Sequence, residues 1–216
     1  MNSEYHGALG YFNRVSGKWR RLYATSNFLS LYINQFLRPA VYERYRLVFA
    51  NCGPIPGATV LDIGCGAGIY AAEFIARGAS RVVGIDFAPA MIDQARKVAK
   101  AKRLDDQCDF ICDDFLRYTF QQDFDIVLAM GLFDYLSDPR PILKKIADLT
   151  KQRFLGSFPT NGFLWRLQRS IRYNFLKGFP VYEYSAGQVK SLYQNASFST
   201  VKIIPIKRGL FAIGGR

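Results

Sequence analysis

Three glycines separated by single residues, Gly64, Gly66 and Gly68, break the apolar stretch VLDIGCGAGIY at residues 60–70. A strand that runs into residues without side chains, and then into a helix, can turn sharply and approach a ligand closely. That turn lies in the crevice beyond the carboxyl ends of a parallel sheet. A G-x-G-x-x-G loop would seat a dinucleotide pyrophosphate on the helix N-terminus. Here the pattern is G-x-G-x-G, and Ile69 stands where the third dinucleotide glycine would be. Asp62 precedes the loop, where its charge repels a pyrophosphate and suits a cation. Asp86 follows 18 residues after Gly68, at the end of the next apolar run. A carboxylate at that point can accept both hydroxyls of a ribose. Together these residues describe a site for an adenosine that carries a positive group.

The elements around them alternate. ATVLDIG, SRVVGID, CDFICDD, FDIVLAM and RFLGSFP read as five strands. Helices are expected from Ile69 to Arg77, closed by Gly78, from Pro89 to Lys102, and from Asp138-Pro139 to about Leu149. Such repetition means a parallel sheet with helices on both faces. Ser185 to Asn195 reads as a further helix, and FSTVKIIPI and GLFAIGG as two closing strands joined at Lys207-Arg208-Gly209. The expected fold is α/β, a Rossmann-like doubly wound sheet of seven strands, mostly parallel, with an antiparallel last strand. Within one domain, residues 1–50 form a helical cap, 51–158 the cofactor-binding core, 159–185 an insert after the fifth strand, and 186–216 the closing helix and hairpin.

Composition agrees with one folded domain. The chain has 216 residues, half of them hydrophobic. No apolar run approaches the roughly 20 residues of a membrane span. MNSEYHGALGYFNRVSG lacks the charged start and apolar stretch of a secretory signal, and Cys52, Cys65, Cys108 and Cys112 form no paired-ligand spacing. Reduced thiols in a cytoplasmic protein, with no metal site, are the expectation. The net charge of +12 is uneven: +5 in residues 1–50, −3 in 51–150 and +10 in 151–216. Positive ends around a balanced middle suggest an anionic partner: a small molecule, a lipid head group or nucleic acid.

Residues 59–158, and above all VLDIGCGAGIYAAEFIARGASRVVGIDFAPAMIDQARKVA, resemble the cofactor half of the class I S-adenosylmethionine-dependent methyltransferases. The resemblance implies S-adenosylmethionine as cofactor. It places Gly64, Cys65, Gly66 and Gly68 along the methionine portion, and has Asp62 orient the loop or contact the cofactor amine. Asp86 would hold the ribose, and Phe87 and Met91 would pack on the adenine. In FICDDF, Asp114 is the acceptor for the adenine amino group, with Asp113 its rival and Phe115 supplying a backbone N–H. Met130 and Gly131 would pass near the methionine portion. Family members often lay an N-terminal helix over the cofactor, which puts His6, Tyr5 and Tyr11 within reach.

Displacement at a sulfonium needs mainly orientation and exclusion of water, and a base only when the acceptor must lose a proton. Candidates for that base are Asp134 and Tyr135 after the fourth strand, and His6, the sole histidine. Methyltransferases of base amines and glutamine amides show an Asn- or Asp-Pro-Pro-aromatic motif there. Met130-Gly131-Leu132-Phe133 departs from it and argues against that chemistry. In the insert, Leu164, Leu167, Ile171 and Phe175 share a helical face, with Arg166, Arg169 and Arg172 along another. This reads as a cationic lid over an anionic small-molecule or lipid-like acceptor, and peripheral membrane contact fits the same helix. Methylation of RNA is the competing enzymatic reading. A non-catalytic cofactor-binding or scaffold protein is the third, since a fold alone does not establish activity.

Overall fold

The computed structural model describes residues 39–160, 182–207 and 209–216. In chain order the elements are α1 (Pro39–Asn51), β1 (Thr59–Ile63), α2 (Ile69–Ala76), β2 (Arg81–Asp86), α3 (Pro89–Ala101), β3 (Cys108–Cys112) and β4 (Phe124–Ala129). A single 3-10 turn (Phe133–Tyr135) follows, then α4 (Arg140–Leu149), β5 (Thr150–Phe158), α5 (Ala186–Asn195), β6 (Thr200–Ile206) and β7 (Gly209–Gly215).

All seven strands form one sheet in the order β3-β2-β1-β4-β5-β7-β6. The first five run parallel, and β7 lies antiparallel between β5 and β6. The chain winds outward from β1 to β3, then returns across β1 to lay down β4. The order reverses between β1 and β4, so the loops after these two strands diverge and leave a crevice at their carboxyl ends. Near-continuous burial of β1, β2 and β4 follows from helices covering both faces.

One face is covered by Val48 of α1 and Cys52 just after it, Tyr70 and Phe74 of α2, and Ile92, Ala95 and Ala99 of α3. Ile142, Leu143 and Ile146 of α4 with Val189 and Tyr193 of α5 cover the other. Helix α1 is joined to α2 through aromatic contacts: Tyr45 stacks on Tyr70 at 5.7 Å, and Phe49 meets Phe74 at 4.8 Å. This fixes the one described segment of the N-terminal cap against the body.

The expected elements are present, with differences at their ends. Strand β5 begins at Thr150, directly after α4, rather than at Arg153. The exposed Lys151-Gln152 ahead of Arg153 reads as a loop because it outruns the core. Its backbone is nevertheless paired: Thr150 lies opposite Phe124 and Arg153 opposite Gly215. Strand β3 stops at Cys112, because Asp113 and Asp114 turn away to form the next loop. Helix α5 starts where expected, on a capping box between Ser185 and Gln188.

Candidate functional site

The loop from β1 to α2 is shaped by Gly64, Gly66 and Gly68, whose φ angles are +69°, +53° and +72°. Three left-handed residues in five positions require glycine. Gly64 N and Cys65 N both donate to Ile85 O of β2, at 2.8 and 3.2 Å, which pins the start of the loop to the neighbouring strand. A side chain at Gly68 would press on Phe110, whereas no atom of the described residues lies within 4 Å of where one would stand on Gly66. Among the described residues, the middle of the loop therefore borders no other side chain.

Asp86, the last residue of β2, holds this loop from the side. Its Oδ2 accepts Gly66 N at 3.0 Å and its Oδ1 accepts Ala88 N at 2.9 Å. Each carboxylate oxygen keeps a second acceptor site, so the group can still bind two hydroxyls. Burial raises its pKa above the ordinary carboxylate value, and the two backbone donors pull it back.

Beneath the loop lies Asp62, 2% exposed. Its Oδ2 has no hydrogen-bond partner among the described residues. Burial first, and the Asp86 charge second, push its pKa up to about 7. A buried carboxylate without a partner is costly, and a cation placed above the loop would relieve it. Cys65 contributes its backbone to the loop, while its thiol is buried, 2.9 Å from where a Cβ on Gly84 would sit.

The far end of the crevice is built by the turn after β3. Asp113 is exposed, and its Oδ1 accepts Asp114 N at 2.7 Å. Asp114 caps the turn: its Oδ1 accepts Leu116 N at 2.8 Å, and its carbonyl accepts Arg117 N and Tyr118 N at 3.0 Å. The Phe115 N–H makes no hydrogen bond among the described residues, and its ring is buried. Phe87 is half-buried after β2, and Met91 is buried in the first turn of α3.

On the other side, Met130 and Gly131 follow β4, and Gly131 N donates to Ser157 Oγ of β5 at 2.8 Å. The same hydroxyl accepts Arg44 Nη1 at 3.3 Å, and that nitrogen lies 3.3 Å from where a Cβ on Gly131 would stand. Helix α1 thus delivers a guanidinium to the carboxyl ends of β4 and β5. Neither Arg44 nor the buried Ser157 was singled out from the sequence. A signal existed for the first: Arg44 falls at helical spacing between Val41 and Val48, on the face that turns inward.

Asp134 and Tyr135 lie half-buried on the 3-10 turn just beyond. The Asp134 carbonyl accepts Tyr182 N at 3.2 Å, and Pro159 O accepts Tyr184 N at 2.8 Å. The two ends of the insert are thereby clasped together next to this turn. His6 and the arginines Arg166, Arg169 and Arg172 lie outside the described residues, as do Tyr5 and Tyr11.

Asp62 carries a pH signature. Its pKa lies above the ordinary 3.8, so the folded chain is the more protonated state. Stability therefore declines as pH rises from about 4 to about 7 and is level beyond. Asp62→Asn keeps the shape and removes the titration. Relative to wild type, the variant is expected to be more stable at pH 8 than at pH 5, by on the order of 1–4 kcal/mol in urea unfolding. Parallel pH profiles of the two proteins would contradict the burial of an ionisable Asp62.

A methyltransferase domain family matches residues 60–153. The ubiquinone biosynthesis O-methyltransferase of Neisseria meningitidis is 29% identical over 155 residues, which span 71% of this chain and 61% of that protein. Its namesake in Coxiella burnetii is 34% identical over 98 residues, spanning 45% of this chain and 41% of the relative. The chain thus spans about three fifths or less of the length of these curated relatives. Among solved structures, magnesium protoporphyrin IX methyltransferase from Synechocystis, with bound S-adenosylhomocysteine, superposes with a TM-score of 0.75. That match covers 99% of this chain and 100% of the other, at 20% identity, so it speaks for the fold. The matched stretch spans the glycine loop, Asp86 and the turn after β3, so residues 60–153 are similar to a methyltransferase domain, carried on a sheet of the order β3-β2-β1-β4-β5-β7-β6.

Proposed function

We propose that this chain binds S-adenosylmethionine across the ends of β2, β1 and β4 and directs methyl transfer to an anionic small-molecule or lipid-like acceptor. The observation that carries the reading is the Asp86 carboxylate bonded to Gly66 N, with no described residue packed on that glycine. In this reading Asp86 takes the two ribose hydroxyls. The Asp114 carboxylate and the Phe115 N–H meet the amino group and the adjacent ring nitrogen of adenine, while Phe87 and Met91 flank the ring. Asp62 under the loop and Arg44 against Gly131 supply the opposite charges that an amino-acid end requires. When bound, the cofactor supplies a methyl group on a sulfonium, a good leaving group, so the residues of the chain have chiefly to orient the acceptor and exclude water.

The acceptor side rests on charge. Residues 151–216 carry 11 Lys+Arg against one Asp+Glu, and the insert rooted beside Asp134 holds Arg166, Arg169 and Arg172. The names of the relatives support a small acceptor: one group acts in ubiquinone biosynthesis, and the structural neighbour is named for magnesium protoporphyrin IX. Asp134 and Tyr135, on the turn that borders the root of the insert, are the candidate groups for taking a proton from the acceptor. No helix among the described residues is long and apolar enough to cross a membrane.

Two experiments test the two halves of this reading. Asp86→Ala is expected to weaken S-adenosylhomocysteine binding by about 1.5–3 kcal/mol, the range for hydrogen bonds to a charged group. Unchanged affinity by calorimetry would remove Asp86 from the ribose site. For the acceptor, phosphorylated metabolites, carboxylates and anionic lipids are screened for release of S-adenosylhomocysteine. Replacing Arg166, Arg169 and Arg172 together with Gln is expected to raise KM for the active acceptor severalfold while leaving cofactor affinity unchanged. Wild-type parameters in the triple variant would show that the insert does not hold the acceptor.

A further inference from the structure

The turn after β3 is held from behind by a side chain that the proposed cofactor contacts do not include. Lys145 projects from α4, and its ammonium donates to three backbone carbonyls of this turn: Phe115 O at 2.6 Å, Leu116 O at 3.1 Å and Tyr118 O at 2.5 Å. An ammonium has three donors, and all three are used. The charge also sits 5.0 Å from the centre of the Phe115 ring and 5.8 Å from that of Phe120. Among the described residues Lys145 forms no salt bridge, and burial lowers its pKa, offset in part by Asp114 and Asp113. A lysine left in water would avoid that desolvation, so the three carbonyls are what retain it here.

The consequence for the pocket follows from peptide geometry. In a trans peptide the C=O and the following N–H point in opposite directions. The Asp114 carbonyl is turned inward by Arg117 N and Tyr118 N, which sends the Phe115 N–H outward. The carbonyls of Phe115 and Leu116, next in the chain, are drawn toward α4 by Lys145. The outward N–H and the Asp114 carboxylate form a donor beside an acceptor. That pair matches the amino edge of adenine and mismatches hypoxanthine, in which an oxygen replaces the amino group and the ring nitrogen carries a proton.

We propose that Lys145 is a positioning residue for base recognition: by gathering three carbonyls behind the 113–118 turn, it holds the Asp114 carboxylate and the Phe115 N–H in register with adenine. The proposal rests on the placement of adenine at this turn. The probes are S-adenosylhomocysteine and S-inosylhomocysteine, titrated by calorimetry into wild type and Lys145→Met, which keeps the aliphatic stem against Phe115 and Phe120. Wild type is expected to prefer the adenosine compound by about tenfold or more. In Lys145→Met that preference falls at least about fivefold, because affinity for the adenosine compound drops and affinity for the inosine compound stays level. Lys145→Gln serves for the same comparison if the Met variant does not fold. Equal weakening of both ligands, with the preference intact, would make Lys145 a purely structural anchor and overturn the proposal. A wild-type protein that binds both compounds equally would instead overturn the placement of adenine on this turn.

Discussion

A single carboxylate joins the parts of this site. Asp86 ends β2, and its two oxygens capture Gly66 N from the loop after β1 and Ala88 N from the turn into α3. One turn is built from left-handed glycines, and the other leads to Pro89, which has no N–H to give. By accepting from both, Asp86 fixes the loop after β1 against the turn after β2, on one side of the crevice. This use of its oxygens also limits what else they can bind, leaving one acceptor position on each, which is the number a vicinal diol requires.

Placing that carboxylate beside Asp62 makes the floor of the crevice acidic, in a chain whose net charge is strongly positive. The contrast is informative. Two acids raised by burial, one of them further raised by the other's charge, are unfavourable in the isolated fold, and their persistence is understandable where the ligand brings a positive charge. Arg44 lies across Gly131, on a helix that is only loosely dictated by its own sequence but is fixed by Tyr45 and Phe49 against α2. The cofactor crevice therefore has a charge gradient supplied by three different segments, and α4 adds a fourth support through Lys145.

Much of this was legible in the residue order because it depends on local chemistry. Glycine spacing, the acid before it and the acid 18 residues later lie within one strand-turn-helix-strand unit, where backbone geometry dictates residue type. The order of the strands follows from their alternation with helices and the handedness of the crossovers. What escaped the sequence reading depends on packing between distant segments. Ser157 is one small polar residue in an apolar strand, and its partners Gly131 and Arg44 are 26 and 113 positions away. Lys145 stands in a run of two lysines on an amphipathic helix, and nothing in that run distinguishes it from its exposed neighbour Lys144. The start of β5 is hidden in the sequence for the same reason, since its first residues are polar and paired through partners remote in the chain.

The crevice between β1 and β4 suits a cationic adenosine compound rather than a dinucleotide. Calorimetric titration of the purified chain with S-adenosylmethionine, S-adenosylhomocysteine and NAD tests this preference most directly. One site per chain is expected for the first two, with affinity reduced in Asp86→Ala, and no measurable heat of binding for NAD. Binding of NAD with equal or greater affinity, competitive with S-adenosylhomocysteine, would contradict it.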